Sequence, residues 1–406
     1  MNTVEYQLVL GRRIAQERRR HGLSQPELAA MVGRPVAWVS QLERGMQPID
    51  SPRMLKTLAG ALDLPLTELT PDGTCGQPVL ASSAPAVAGE LRVVLAGAHS
   101  LRAMLEERPA PPAAWLRAQT DRACTLAAAG HFAELADVLA SLLPGLETAV
   151  RATRSGRGDL HELIAVVYQA CAAALARLGE TEAAWVAADR AMAAAEQAGN
   201  LVLVAAGAHR LASVFLGAQR YALAEETART TIHALDGLAA LGDPDAVALC
   251  GGLTLLRAAV AARAGRLSAA YGQLARARQL SARLGGQRAG GFPEFGPECV
   301  ALYEIAVSVD LGDAGHALRV AAATDLTGLS PGRRARALID VARAHALRGQ
   351  TGEAVGALAA AEALGPCYVV GSSRARQVIA DLLGRAQPPP RELADLRARL
   401  ARPAAG

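Results

Sequence analysis

Gly179-Glu180-Thr181-Glu182-Ala183-Ala184-Trp185-Val186-Ala187-Ala188-Asp189-Arg190-Ala191 decides the fold. A glycine able to take the left-handed conformation ends one helix, and good helix formers begin another two residues later. Small residues at offsets five, nine and twelve from the glycine fall on one helical face, where they let a neighbouring helix approach closely. The same offsets recur at Gly130/Phe132/Leu135/Leu139/Leu142, Gln219/Tyr221/Ala224/Ala228/Thr231, Gly265/Leu267/Ala270/Leu274/Ala277, Gly312/Ala314/Ala317/Ala321/Thr324 and Gly349/Thr351/Ala354/Leu358/Ala361. Five of the six units keep the glycine, and successive turns lie 37 to 49 residues apart. The spacing predicts an array of helical hairpins; a bundle of alanine-rich helices is the alternative that periodicity leaves open.

Composition agrees with an all-α chain: 51% of the 406 residues are apolar but only 3% are aromatic, and alanine supplies much of the difference. The formal net charge of +4 is spread evenly, so no half is a polybasic arm. Lys56 is the one lysine, and Met54-Leu55-Lys56-Thr57 has no glycine cradle, which argues against a nucleotide-binding phosphate loop. The loop Gly285–Gly296 is glycine-rich but follows a helix, where a phosphate cradle needs a preceding strand; it reads as a mobile connection between repeats. The six cysteines and eight histidines are scattered, without zinc-like spacing or a nucleophile-base arrangement, so neither a cofactor nor a metal nor an enzymatic activity is expected. The start of the chain does not read as a secretory leader, and apolar stretches such as Leu163–Ala176 read as too short for a membrane span. A cytoplasmic, nucleoid-associated protein is expected.

Working toward the N-terminus, residues 71–90 are rich in proline, glycine and serine and read as a flexible linker. They separate a domain at 1–70, read as five short helices, from a repeat domain at 91–406 that opens with a helix near Leu91–Glu107. Pro388–Pro390 followed by Arg391–Arg402 reads as a polar helix capping the stack. In the first domain, Ser24-Gln25-Pro26-Glu27 is a capping box that starts a helix. Gly33 ends it in a left-handed turn, and Pro35 opens the next helix at its first position. Val39 and Leu42 then face the core, leaving Val36, Ala37, Ser40, Gln41 and Arg44 on the exposed side as a candidate reading surface.

These residues, Gly22-Leu23-Ser24-Gln25-Pro26-Glu27-Leu28-Ala29, Gly33 and Trp38-Val39-Ser40-Gln41-Leu42-Glu43-Arg44-Gly45, resemble the phage-repressor-like Xre family of helix-turn-helix regulators over roughly residues 6–70. The resemblance implies a five-helix domain whose second motif helix enters the major groove of double-stranded DNA, and a homodimer that reads two half-sites. Carried across, Gln25 and Arg44 would hold phosphates, while Arg34, Val36, Ala37 and Gln41 would face base edges: Gln41 to adenine, Arg34 to guanine, Val36 to a thymine methyl. Arg18 and Glu43 match a pair that ties the first helix to the reading helix. Val36 and Ala37 stand where many members present polar readers, which thins hydrogen-bonded readout. Trp38 has two readings, an aromatic wedged against a neighbouring helix or a direct DNA contact.

The hairpins resemble tetratricopeptide repeats. Together with Phe295-Gly296-Pro297 and Ala335–Gly349 they resemble the repeat domains of actinobacterial Xre regulators, with Glu298-Cys299 standing where members tend to carry Thr-Asn. In such a stack the first helices of each hairpin line a concave groove. Counting back from each turn places Arg117, Thr120, Cys124, Gln169, Arg177, His209, Ser213, Arg263, Asp310, Arg336 and Arg343 there, a net basic set suited to carboxylates. Regulators of the peptide-pheromone type hold a peptide backbone with asparagines, and this chain has only Asn2 and Asn200. A peptide, another small ligand and a protein partner therefore all stay open as occupants. The expected function is a transcription regulator that senses one of these through its repeats; the rival is a non-enzymatic adaptor whose repeats assemble a protein complex.

Overall fold

The computed structural model describes residues 3–43, 52–62, 86–95, 109–153, 156–285, 294–385 and 391–400. Among these residues the assigned elements are helices, and the fold is all-α. The chain divides into two compact units, Met1–Ala81 and Ser82–Gly406.

The first unit contains α1 (Thr3–Arg20), α2 (Gln25–Val32), α3 (Val36–Glu43) and α4 (Pro52–Ala61). Leu10 and Ile14 of α1, Leu28, Ala29 and Val32 of α2, Val39 and Leu42 of α3 and Leu58 of α4 share one buried core. The fifth expected helix falls outside the described residues. The capping box forms: Ser24 Oγ accepts from the Glu27 amide at 3.4 Å and the Ser24 amide donates to Glu27 Oε2 at 2.7 Å. Gly33 ends α2 at φ 66° and ψ 37°, and the Arg34 amide closes the turn on the Ala29 carbonyl at 2.9 Å. Pro35 stands immediately before α3 rather than as its first residue, and its carbonyl accepts from the Trp38 and Val39 amides at 3.0 and 3.3 Å.

The second unit opens with α5 (Ala86–Val94), which starts inside the stretch expected to be linker. Ala88 and Leu91 are buried against the apolar face of α7, and this burial prevails over the local proline and serine content. The rest of the expected helix, residues 96–107, lies outside the described residues. Six hairpins follow: α6 (Ala113–Ala129) with α7 (Phe132–Ala152), α8 (Arg157–Arg177) with α9 (Thr181–Ala198), α10 (Leu201–Gly217) with α11 (Tyr221–Ala240), α12 (Pro244–Arg263) with α13 (Leu267–Leu284), α14 (Pro297–Asp310) with α15 (Ala314–Ala323), and α16 (Pro331–Leu347) with α17 (Thr351–Ala363). A short α18 (Pro366–Val370), α19 (Ser373–Arg385) and α20 (Arg391–Leu400) finish the chain, with Leu393 and Leu396 of α20 buried and its other side charged.

Each hairpin turns the same way. The residue at the glycine position has positive φ in all six: 84° at Gly130, 82° at Gly179, 60° at Gln219, 71° at Gly265, 86° at Gly312 and 73° at Gly349. The next amide then reaches back five residues, as from His131 to Leu126 at 3.0 Å and Arg220 to Phe215 at 2.8 Å, satisfying a carbonyl the helix end would otherwise leave open. Leu135, Ala184, Ala224, Ala270, Ala317 and Ala354, five positions on, are all buried. The leading helices also pack in series, α6 on α8 on α10 on α12 on α14 on α16, which makes the unit a solenoid.

Phe295-Gly296-Pro297 has a structural role: Pro297 is the first residue of α14, and the buried Phe295 ring fills the notch left by the missing side chain of Gly251. The helices α8 and α12 are 21 and 20 residues long and apolar enough to cross a bilayer, which corrects the expectation that Leu163–Ala176 falls short of a span. Both are packed inside the solenoid as core helices.

The solenoid also closes on itself. The Tyr368 hydroxyl of α18 donates to the Ala129 carbonyl of α6 at 3.2 Å, 239 residues away. Gly371 lies so near α8 that a Cβ there would overlap the Arg177 carbonyl. With α16 also touching α6, the last hairpin seals against the first two.

Candidate functional site

Two constellations carry the candidate chemistry, one in each unit. In the first, α3 buries Val39 and Leu42 and turns Gln41 and Val36 outward, Val36 being 43% exposed, with Ser40 half-buried. Arg34 is exposed in the turn before α3, and its guanidinium lies 5.7 Å over the Trp38 ring, a cation–π contact. Trp38 packs against the core of the unit, in keeping with the wedge reading. Ala37 lies in α3, but its side chain, like the whole of Arg44, falls outside the described residues.

The reading helix is braced at its end. Arg18 donates from Nε to Glu43 Oε1 at 2.5 Å and from Nη2 to Oε2 at 3.0 Å, and its Nη1 reaches the Leu23 carbonyl at 2.6 Å. Gln25, assigned by resemblance to a phosphate, instead donates its amide to Glu43 Oε2 at 2.7 Å. Burial pushes the Glu43 carboxyl upward, but the hydrogen bonds from Arg18 and Gln25 outweigh it and hold the group below the usual carboxylate range. At the start of α2 the Glu27 carboxylate already occupies the Ser24 amide and hydroxyl, and these bonds lower its pKa.

The second constellation is the inner face of the solenoid. The residues counted toward the groove split three ways. Arg117 is exposed, 3.6 Å from Asp159. Thr120 and Gln169 are buried and tied to backbone, Thr120 to the Leu116 carbonyl at 2.9 Å and Gln169 to the Leu203 carbonyl at 3.3 Å, and Ser213 donates to the His209 carbonyl at 2.9 Å. Cys124 is half-buried against the core of the first hairpins, and Arg263, Asp310, Arg336 and Arg343 gather. Arg343 meets Asp310 at 2.6 Å and Asp340 at 2.9 Å, Arg263 meets Asp310 at 3.4 Å, and Arg336 lies 5.1 Å over the Tyr303 ring. Arg374 joins them with bonds of 2.8 and 3.0 Å to Asp340, whose carboxyl is held low by Arg374 and Arg343 in spite of the opposing effect of burial.

Arg177 and His209 stand in a neighbouring lobe with Arg210, Arg333 and Glu294. The sequence reading missed Arg210, Arg333, Asp340 and Arg374. Arg374 follows the last turn, so counting back from turns never reaches it, and Arg210 is hidden by its place beside His209.

A family model described as a helix-turn-helix domain matches residues 9–71. No curated protein matches the chain. Among solved structures, the crystal structure of Bacillus thuringiensis PlcR in complex with the peptide PapR7 and DNA aligns at 13% identity, covering 68% of this chain and 95% of that one, with a TM-score of 0.29. The capped α2, its left-handed turn and the half-buried α3 are thus the core of a helix-turn-helix domain, joined in one chain to a helical-repeat unit.

Proposed function

We propose that the chain is a sequence-specific DNA-binding transcription regulator whose repeat unit senses a ligand or partner. The supporting observation is α3 itself. Val39 and Leu42 anchor it, Arg18 and Glu43 fix its far end, and Val36, Ser40 and Gln41 are left on the side away from the core. A helix so presented fits the major groove, with Gln41 and Arg34 as hydrogen-bonding readers and Val36 as an apolar contact. Gln25 and Arg44 would take phosphates, which requires Gln25 to exchange its bond with Glu43 for one to the backbone. In this reading the protein is a cytoplasmic homodimer, and occupancy of the repeat unit shifts how the two DNA-binding domains are paired or spaced.

Genome-wide mapping of bound sites tests the reading together with anisotropy titrations of a recovered duplex. The expected result is paired half-sites roughly 34–36 Å apart or a multiple of that. Affinity should fall steeply with salt, and Gln41→Ala should relax one base position at a cost of about 1–3 kcal/mol. An adaptor would bind no duplex even at low salt, which would overturn the assignment.

A further inference from the structure

The trailing helices of the third and fourth hairpins leave a cleft between them. Both α11 and α13 pack on α12, which closes the bottom of the cleft. Its inner part, about 130 Å³, is floored by Ile232 and Ala239 of α11, Cys250 of α12 and Leu280 of α13. The Thr254 hydroxyl beside them donates to the Cys250 carbonyl at 2.7 Å and so stays with its own helix. Burial, with Asp236 adding to it, pushes the Cys250 thiol up to about 11, so the floor holds a neutral thiol at pH 7. An apolar cavity of about 150 Å³ takes up benzene, and the inner part is therefore the size of one ring or a short branched chain.

Outward along α13 the cleft widens to a further volume of about 490 Å³, and Arg276, Leu280 and Arg283 line both parts. Helical spacing puts Arg276, Gln279 and Arg283 in one row at the mouth, with the two arginine Cα atoms about 10.5 Å apart along the axis. Arg283 is held over the cleft by a bond from Nη2 to the Ala239 carbonyl at 2.6 Å, which leaves the rest of its donors unspent. Among the described residues the Arg276 guanidinium makes no hydrogen bond or ion pair. Asp236, the acid on the α11 wall, lies 3.5 Å from His233 of its own helix. The third arginine of α13, Arg278, points elsewhere and pairs with Glu304 at 2.5 Å.

We propose that the cleft binds a small carboxylate carrying one ring or a short branched chain, with its apolar part against Ile232, Cys250 and Leu280 and its carboxylate between Arg276 and Arg283. The uncharged floor favours an apolar group over an inorganic anion. The planar guanidinium groups at the mouth favour a carboxylate over a neutral head, because they donate to both of its oxygens at once. Such a ligand touches α11, α12 and α13 together, so it binds best to one angle between the third and fourth hairpins and shifts the solenoid toward that curvature. The proposal rests on the reading of the repeat unit as the sensing half of a regulator and names the class of ligand sensed.

Calorimetric titration of the full-length protein with benzoate and with isovalerate, at ionic strength held constant with sodium chloride, tests it. Acetate, which lacks the apolar part, and benzyl alcohol, which lacks the charge, are the comparison probes. Benzoate or isovalerate should bind saturably and at least tenfold more tightly than either of these, benzoate pointing to a ring and isovalerate to a branched chain. Arg276→Gln should weaken binding at least tenfold, and Ala240→Leu, which fills the inner part from its α11 wall, should abolish it. Arg278→Gln, on the same helix but outside the cleft, leaves binding unchanged. Arg276 is exposed, so its variant keeps the fold and decides the matter where Ala240→Leu does not fold. The proposal is overturned if neither acid outbinds acetate and benzyl alcohol, or if binding survives Arg276→Gln. Duplex affinity measured on the same sample separates the two readings: a chain that grips DNA but ignores both acids sinks the cleft alone, and one that binds neither sinks both.

Discussion

Gln219 shows how far a single residue can be read. It occupies the turn position that the other five hairpins give to glycine, and it takes the same left-handed conformation, with φ of 60°. Left-handed backbone costs a residue with a Cβ about 1–2 kcal/mol, partly offset because glycine loses more freedom on folding. Gln219→Gly should therefore raise stability by about 0.5–1 kcal/mol, and Gly265→Ala should lower it by about 1 kcal/mol, both measurable as shifts in urea midpoint. The six turns were legible because a Schellman-type ending needs only local chemistry, and the offset pattern survives even where glycine does not. His209 was legible as an inward-facing residue but not as a neutral one, since its depression comes from burial and from Arg210 and Arg333, the latter on a distant helix. With a folded pKa near 3 against 6.5 unfolded, the unfolded chain takes up the proton first as pH falls. Stability is then full above pH 6.5 and declines toward pH 3, by about 1.4 kcal/mol per unit below 6.5, and a His209→Gln variant should lose that slope between pH 6.5 and 5.

At the scale of elements, the capping box and Gly33 placed α2 and the turn correctly in sequence, whereas the brace behind α3 came partly from family resemblance and partly from the structure. Arg18 and Glu43 were matched as a pair, but Gln25 joins them, a contact across 18 residues that no helical period encodes. Gly11 completes the arrangement, because a Cβ there would overlap the Leu42 carbonyl. Gly11→Ala should push the end of α3 off α1 and cost about 1–3 kcal/mol, with a loss of duplex affinity at temperatures where the unit is still folded. Glu43→Gln removes the carboxylate that Arg18, itself buried, depends on; the expected loss is about 2–4 kcal/mol, below that of a fully buried pair because Gln25 and the Leu23 carbonyl remain. Since the folded pKa of Glu43 is depressed, the wild-type contribution is present above the usual carboxylate range and disappears as pH falls through it, and the variant's stability should be flatter there. The start of α5 was not legible, because residues 86–90 carry no strong helix signal of their own and are ordered by the surface that Ala88 and Leu91 find on α7.

At the scale of the repeat unit, closure is what the sequence could not reveal. A repeat pattern specifies how each hairpin meets the next, but whether the curvature accumulated over six hairpins brings α18 back to α6 and α8 depends on small rotations summed along the stack. The same limit explains the inner arginines: counting from turns found Arg177, Arg263, Arg336 and Arg343, yet their partners are assigned only by that curvature. Gly371 provides a test of closure that leaves the hairpin turns alone, because its φ of −72° is one that alanine adopts readily. A Cβ at this position would overlap the Arg177 carbonyl across the seam. Gly371→Ala should therefore open the solenoid rather than unfold it: helicity by circular dichroism stays near wild type, the radius of gyration of the purified protein rises in solution scattering, and amides around Ala129, Arg177 and Tyr368 exchange faster. Gly356→Ala, in open space on α17, is the matched control and should change none of these. A Gly371→Ala protein with unchanged scattering and exchange would mean that the seam yields to a methyl group and does not hold the solenoid closed.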